Sequence, residues 1–106
     1  MLKIFLDDVR PLPDDSWILI RETDIPMFIH LARHADVISM DHDLGESAWN
    51  GMTGYDVLKV LEKEVYEQGL YSGRGCPEFR IHSANPVGRQ NMEARIASIH
   101  RKLEAL

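Results

Sequence analysis

The sequence has little cysteine, few bases and no long apolar run. The single cysteine, Cys76, excludes a disulfide framework and a cysteine-rich zinc site. No stretch reaches the roughly 18 apolar residues of a membrane span, and the first residues lack a signal-peptide pattern. Twelve bases against seventeen acids make nonspecific DNA binding unfavourable. We therefore expect a cytoplasmic domain that binds neither membranes nor DNA nonspecifically.

The acidic residues that are present are unevenly distributed. The 106 residues are enough for one ordinary domain, so we treat 1–106 as a single unit. Residues 1–50 contain ten acids and four bases, whereas residues 51–106 contain seven acids and eight bases. The excess in the first half comes from clustered aspartates, and like charges in a cluster indicate a site that neutralises them.

Short apolar runs alternate with helical patterns along the chain. Strands are predicted at 2–6, 17–21, 36–40 and 79–82. Apolar residues at helical spacing follow the last three of these strands. This alternation predicts an α/β domain with a mostly parallel sheet of about four strands, in the order 2-1-3-4. The proline-rich segment 9–15 either forms the first crossover or allows a different pairing.

Three of the four predicted strands end in polar side chains of the kinds used in functional sites. In an open α/β sheet, ligands bind beyond the carboxyl ends of the strands. If these strands are parallel neighbours, their polar ends converge on one edge. The three clusters are Asp7, Asp8 and Arg10, then Asp41, His42 and Asp43, then His82, Ser83 and Asn85.

The aspartates at the first and third strand ends indicate a metal site. Carboxylates brought together repel each other, and a hard divalent cation such as Mg²⁺ or Mn²⁺ relieves this repulsion. Asp7, Asp8 and Asp41 are the predicted ligands, and Asp43 is a further candidate. Two alternatives remain open, because a single aspartate often caps a loop and Arg10 could itself neutralise the cluster.

Two histidines lie at strand ends beside these acids. His42 and His82 are predicted to act as general base and general acid, in an order that the sequence does not assign, and Asp43 is the third predicted catalytic residue. The alternative is that one of them is a buried, hydrogen-bonded structural histidine. The other three histidines lie on predicted helices and are expected to be solvated.

The segment 83–91 has the composition of an anion site. Ser83 and Asn85 offer side-chain hydrogen bonds, a proline suits the first position of a helix, and Arg89 can bind phosphate in a bidentate manner. An ordinary capped helix start would explain Asn85 but not the combination of Ser83 and Arg89.

These motifs resemble a known pattern. The acidic pair, the later aspartate and the late serine are similar to the corresponding positions of response-regulator receiver domains. The fuller series resembles the family of cyclic-phosphate processing receiver-like domains: Leu-Asp-Asp-x-Arg, Asp-His-Asp-Leu-Gly, Thr-Gly-Tyr-Asp and His-Ser-Ala-Asn-Pro-x-Gly-x-x-Asn-Met. The resemblance implies a small three-layer, flavodoxin-like domain that handles cyclic phosphates at RNA or nucleotide ends. It also adds Asn91 to the phosphate-binding set, beside Arg10.

Three elements of ordinary receivers are missing from the predicted pattern. They are the helix after the first strand, the fifth strand with its lysine, and the final helix. The first hypothesis is therefore a divalent-metal-dependent hydrolase of a cyclic or activated phosphate. The second is a non-catalytic module that binds a phosphorylated ligand or a partner protein. The third is a phospho-acceptor at Asp41, which the missing lysine disfavours.

Overall fold

A four-stranded parallel sheet organises the chain. The computed structural model describes residues 1–105. The strands are β1 (Lys3–Leu6), β2 (Ile18–Ile20), β3 (Val37–Met40) and β4 (Glu78–Ile81). They lie in the order β2-β1-β3-β4, and every neighbouring pair is parallel. The predicted class, strand positions and strand order are confirmed, and the proline-rich segment is the first crossover.

Three helices follow the last three strands: α1 (Ile25–Ala32), α2 (Gly54–Gln68) and α3 (Pro86–Glu104). Their boundaries follow from local chemistry. Thr53 and Asp56 form a reciprocal capping box at the start of α2, which satisfies two backbone N–H groups. Short 3₁₀ turns precede α1 and α2, and none of the helices in residues 1–105 is long and apolar enough to cross a membrane.

All three helices pack on one face of the sheet. Alternate strand residues point to this face, and the apolar stripe of each helix meets them. The main contributors, all fully buried, are Ile4, Leu6, Ile38 and Met40 from the sheet and Ile25, Phe28, Ala32, Val57, Leu58, Leu61 and Met92 from the helices. This shared core fixes the helix starts relative to the carboxyl ends of the strands.

The second face of the sheet is covered by a loop. Phe5, Trp17 and Val37 are buried there, with Leu12 and Leu19 packed against them. A right-handed crossover from β1 to β2 runs in the opposite lateral direction from the later crossovers, so it lies on the opposite face. This connection contains Pro11 and Pro13, which disfavour a helix, and it forms none. The third layer of the expected three-layer domain is therefore loop in the described residues.

Candidate metal and phosphate site

Three carboxylates meet at the carboxyl edge of the sheet. Asp7 and Asp8 follow β1, and Asp41 follows β3, its direct neighbour. One carboxylate oxygen from each of the three lies within 4.8 Å of the others. Carboxylate oxygens are the donors that hard divalent cations prefer, so the donor chemistry fits Mg²⁺ or Mn²⁺. The structure thus brings together the three predicted ligands.

Asp7 is the most firmly held of the three. Its side chain is 1% exposed, and its Oδ1 accepts hydrogen bonds from the backbone N–H groups of Val9 (3.0 Å) and Arg10 (2.9 Å). Burial alone would raise the pKa of Asp7, but these hydrogen bonds, with Asp8 and His82 nearby, leave it below its usual value. The Arg10 guanidinium lies 3.7 Å from Oδ2. Asp7 is therefore an ionised, oriented carboxylate.

Asp8 has the opposite electrostatic character. Burial and the proximity of Asp7 and Asp41 raise its pKa, because a further negative charge at this edge is unfavourable. A Cβ on Gly45 would lie only 3.1 Å from Asp8 Oδ2, so the glycine leaves room for this carboxylate. The cluster therefore carries a repulsion that a proton or a cation can relieve.

His42 is paired with its neighbour in the chain. Its backbone N–H donates to Asp41 Oδ1 (2.7 Å), and its Nδ1 lies 2.8 Å from Asp43 Oδ1. The hydrogen bond to His42 lowers the pKa of Asp43. An ionised carboxylate there places the ring proton on Nδ1 and leaves Nε2 as the basic nitrogen. Within residues 1–105, no hydrogen bond involves Nε2.

The ring of His42 rests against the first turn of α3. A Cβ built on Gly88 would lie 2.5 Å from His42 Cγ and 2.8 Å from Nδ1, which no real side chain tolerates. The absence of a side chain at Gly88 therefore provides the space that the imidazole of His42 occupies.

His82 lies in quite different surroundings. Its side chain is 13% exposed and stacks on Phe5 with ring centroids 4.3 Å apart. Its Nε2 lies 2.9 Å from Asp7 Oδ2, and its Nδ1 lies 2.7 Å from Ser39 Oγ. Burial lowers the pKa of His82, and Asp7 opposes that effect. Both ring nitrogens therefore have protein partners.

The turn from β4 into α3 begins the last helix. Asn85 is its N-cap, and its Oδ1 accepts from the Gly88 N–H (3.0 Å). Ser83 Oγ accepts from the Asn85 N–H (3.1 Å), and Asn85 Nδ2 reaches the Asp43 carboxylate at 3.4 Å. The turn thus connects the start of α3 to the loop after β3, and the capping interpretation of Asn85 is confirmed.

Two further predicted phosphate-binding residues, Arg89 and Asn91, lie within α3. The guanidinium of Arg89 donates to the Ile81 carbonyl (3.0 Å) and to Glu93 (3.1 Å), so it would have to exchange these acceptors to bind phosphate. Asn91 is exposed in the same helix, after Arg89. The phosphate-binding roles of both residues stay predictions.

Sequence reasoning missed three polar residues at or below this edge. Ser39 lies within β3 on the second face, buried at 6% exposure, and bonds His82. Arg21, just after β2, donates to the backbone carbonyls of Asp7 and Arg10 and so holds the loop after β1. Glu22 is buried and accepts from Ser47 Oγ. Two signals in the sequence could have identified them. Ser39 is a polar residue inside an apolar strand, and Arg21 and Glu22 are a charged pair directly after β2.

The cavities found in residues 1–105 do not include the three carboxylates in their linings. One of about 610 Å³ opens between the segment 71–76 and the end of α3, with Tyr71, Cys76 and Leu103 in its lining. Burial raises the pKa of the Cys76 thiol to about 11, so that cavity holds no reactive thiolate at neutral pH. We therefore place the candidate site at the carboxylate edge, where the charged groups converge.

Comparison with known proteins agrees with this geometry. Searches of curated proteins and of solved structures found no significant match. The family model described as "Cyclic-phosphate processing Receiver domain" matches residues 2–98, which cover all four strands, the three carboxylates and both strand-end histidines. The match spans most of the chain and ends within α3. The chain belongs to the family of cyclic-phosphate processing receiver domains.

Proposed function

We propose that this domain is a divalent-metal-dependent phosphoesterase that opens a cyclic or otherwise activated phosphate. One observation carries the proposal: an Asp43–His42 pair with a basic Nε2 directly follows Asp41, a member of the three-carboxylate cluster. A domain that only binds phosphate needs no such proton-accepting pair. The family name, which links these receivers to cyclic-phosphate processing, supports the same chemistry.

The metal would be Mg²⁺ or Mn²⁺, held by Asp7, Asp8 and Asp41. Bound there, it would supply positive charge for the phosphate oxygens. The chain's own contribution begins with Asp7, whose four neighbouring donors fix it as an ionised ligand. The positive charge of the metal would offset the repulsion that Asp7 and Asp41 exert on the Asp8 carboxylate.

His42 is the group that moves the proton. Its Nε2 takes a proton from water as the water oxygen bonds to phosphorus. The ester bond from phosphorus to one ring oxygen breaks, and the departing alkoxide takes a proton from the His42 imidazolium. The net change is addition of water, which gives a phosphomonoester and a free hydroxyl. Asp43 holds the imidazole in the required tautomer and stabilises its charged form.

The start of α3 would bind the phosphate. The Gly88 N–H is already bonded to Asn85, so the first turn of this 19-residue helix offers the Val87 N–H and its positive dipole end, which favour an anion. Ser83 and Asn85 lie at this turn, and Arg10 lies on the other side beside Asp7. Arg89 and Asn91 would join only if Arg89 leaves its present acceptors.

The substrate to test first is a nucleoside 2′,3′-cyclic phosphate, as found at RNA ends. Wild type is incubated with Mn²⁺ or Mg²⁺, and the phosphomonoester product is separated by chromatography. We expect turnover that EDTA stops and that Asp8→Ala abolishes. Glu46→Gln, which changes an exposed acid in the neighbouring loop, is the matched control and should retain activity.

The second candidate function is a non-catalytic module that binds a phosphorylated ligand. The start of α3 favours it as the alternative, since the positive end of this helix can bind an anion without reacting. Binding of the cyclic nucleotide by calorimetry, with no turnover under any of these metal conditions, would establish this function and reject the hydrolase.

A further inference from the structure

Three side chains joined by hydrogen bonds lie buried beneath the carboxylate cluster. Ser39 Oγ lies 2.7 Å from His82 Nδ1, and His82 Nε2 lies 2.9 Å from Asp7 Oδ2. The three residues come from β3, from the end of β4 and from the end of β1, and all face the side of the sheet opposite the helices. This hydrogen-bonded series therefore links the three neighbouring strands β1, β3 and β4.

The surroundings keep His82 in this position. Its ring stacks on Phe5, nearly parallel to it at an interplanar angle of 5°, and the buried Ser39 hydroxyl lies at its Nδ1. Rotation of the ring would break both hydrogen bonds and the stack. A ring whose two nitrogens are both hydrogen-bonded to protein groups is poorly placed to exchange protons with a substrate.

The direction of the two hydrogen bonds among Ser39, His82 and Asp7 follows from which atoms can only accept. Asp7 is an ionised carboxylate that accepts only, so His82 Nε2 carries a proton and donates to it. With that proton on Nε2, the neutral ring accepts at Nδ1, and the Ser39 hydroxyl donates there. Each group then has one defined role, and the single tautomer fixes the direction of the Asp7 carboxylate.

We infer that His82, held by Ser39, is a positioning residue that orients Asp7 as a ligand, and that it does not transfer protons to the substrate. The inference rests on the proposed function in taking Asp7 as a metal ligand. Hydrogen-bond partners behind a metal ligand typically contribute about 10–100-fold to metal affinity. This assignment replaces the acid or base role that the sequence suggested for His82.

The test replaces His82 with two amide side chains whose N–H donors lie at different distances from the backbone. The amide nitrogen of glutamine lies at about the reach of Nε2, and that of asparagine at the reach of Nδ1. Mn²⁺ binding is measured by calorimetry for wild type, His82→Gln, His82→Asn and Ser39→Ala. The control is His100→Gln, which changes an exposed histidine of α3. Circular dichroism and thermal melting confirm that each variant is folded.

We expect His82→Gln to retain wild-type Mn²⁺ affinity, His82→Asn to lose about 10–100-fold, and Ser39→Ala to lose less. His82→Gln should also keep most of the cyclic-phosphate turnover. Equal losses in the two amide variants, or no loss in either, would overturn the inference. So would a His82→Gln variant that binds Mn²⁺ normally but has lost its turnover.

A second readout separates this inference from the proposed function. Nitrogen-15 NMR of the His82 ring reports its tautomer without any metal. A single Nε2–H tautomer that Ser39→Ala perturbs is the expected result, and an Nδ1–H tautomer would contradict the inference. If wild type takes up no Mn²⁺ and turns over no substrate, the proposed function fails, and the ring spectrum still decides how Asp7 is positioned.

Discussion

His42 and His82 lie at the ends of neighbouring strands, yet they have different environments. His42 follows β3, is paired with an aspartate that is 63% exposed, and keeps one nitrogen without a protein partner in residues 1–105. His82 follows β4, faces the loop-covered side of the sheet and uses both nitrogens. The same residue type is thus suited to proton exchange in one place and to rigid orientation in the other.

The difference arises from side-chain direction as well as from position. Residues of β4 alternate between faces, so His82 shares the second face with Arg80, and its ring reaches Phe5 on β1. His42 lies one residue beyond Asp41, after β3 has ended, and its ring turns towards α3. The second hydrogen-bond partner, rather than burial, is what distinguishes the two rings, because the His42 side chain is 17% exposed and the His82 side chain 13%.

The largest effect is expected from His42→Ala. Removing the group that moves the proton should lower turnover by about 10²–10⁴-fold. Mn²⁺ affinity should remain, because the His42 ring is no metal ligand in the proposal. Steady-state kinetics and calorimetry on the same preparation check this, with His100→Ala as the control. Loss of both turnover and Mn²⁺ affinity would contradict the different roles proposed for His42 and His82.

Asp43→Asn should have an intermediate effect. Asparagine can present a donor to Nδ1, which favours the wrong tautomer of His42, but the exposure of this position moderates the cost. We expect a loss of about 10–100-fold in kcat with little change in Mn²⁺ affinity. Rate measurements against the exposed control Glu46→Gln test it. Unchanged kcat would show that water alone can orient the ring.

Gly88→Ala tests the contact between α3 and the imidazole. Glycine to alanine inside a helix ordinarily stabilises by about 0.5–1 kcal/mol. Here the added Cβ overlaps the His42 ring, so we expect a loss of about 1–3 kcal/mol in the free energy of unfolding. Urea unfolding measures it, with Val87→Ala as an exposed neighbour in the same turn. A stabilised variant would show that the ring moves aside freely.

The smallest effect is expected from Asp8→Asn without metal. The folded protein raises the pKa of Asp8, so this carboxyl contributes its full stability below its unfolded pKa and loses it as pH rises through the folded value. At neutral pH the variant should therefore melt a few degrees higher than wild type, and the gain should disappear at acidic pH. Melting curves with Asp15→Asn as control check this. A variant that melts lower at neutral pH would show that Asp8 is already stabilised without metal.

Much of this architecture follows from local patterns in the sequence. Strand runs, the Thr53 capping box and the Asn85 cap depend on neighbouring residues, so the elements and the strand order were predictable. The three-carboxylate cluster follows from the predicted strand order, in which β1 and β3 are neighbours. Contacts between distant segments were not predictable, because their register appears only in three dimensions. The stack of His82 on Phe5, the approach of His42 to Gly88 and the Arg89–Ile81 bond are of this kind.

The crossover loop on the second face links the stability of a surface segment to the site. The loop begins at Val9 and Arg10, whose N–H groups bond Asp7, and it ends at Trp17, which packs edge-on against Phe5. Opening of this loop would release both amides and the cover over the ring that supports His82. Hydrogen exchange at these two amides therefore measures the free energy of a local opening, and a ligand that needs Asp7 in place should slow it.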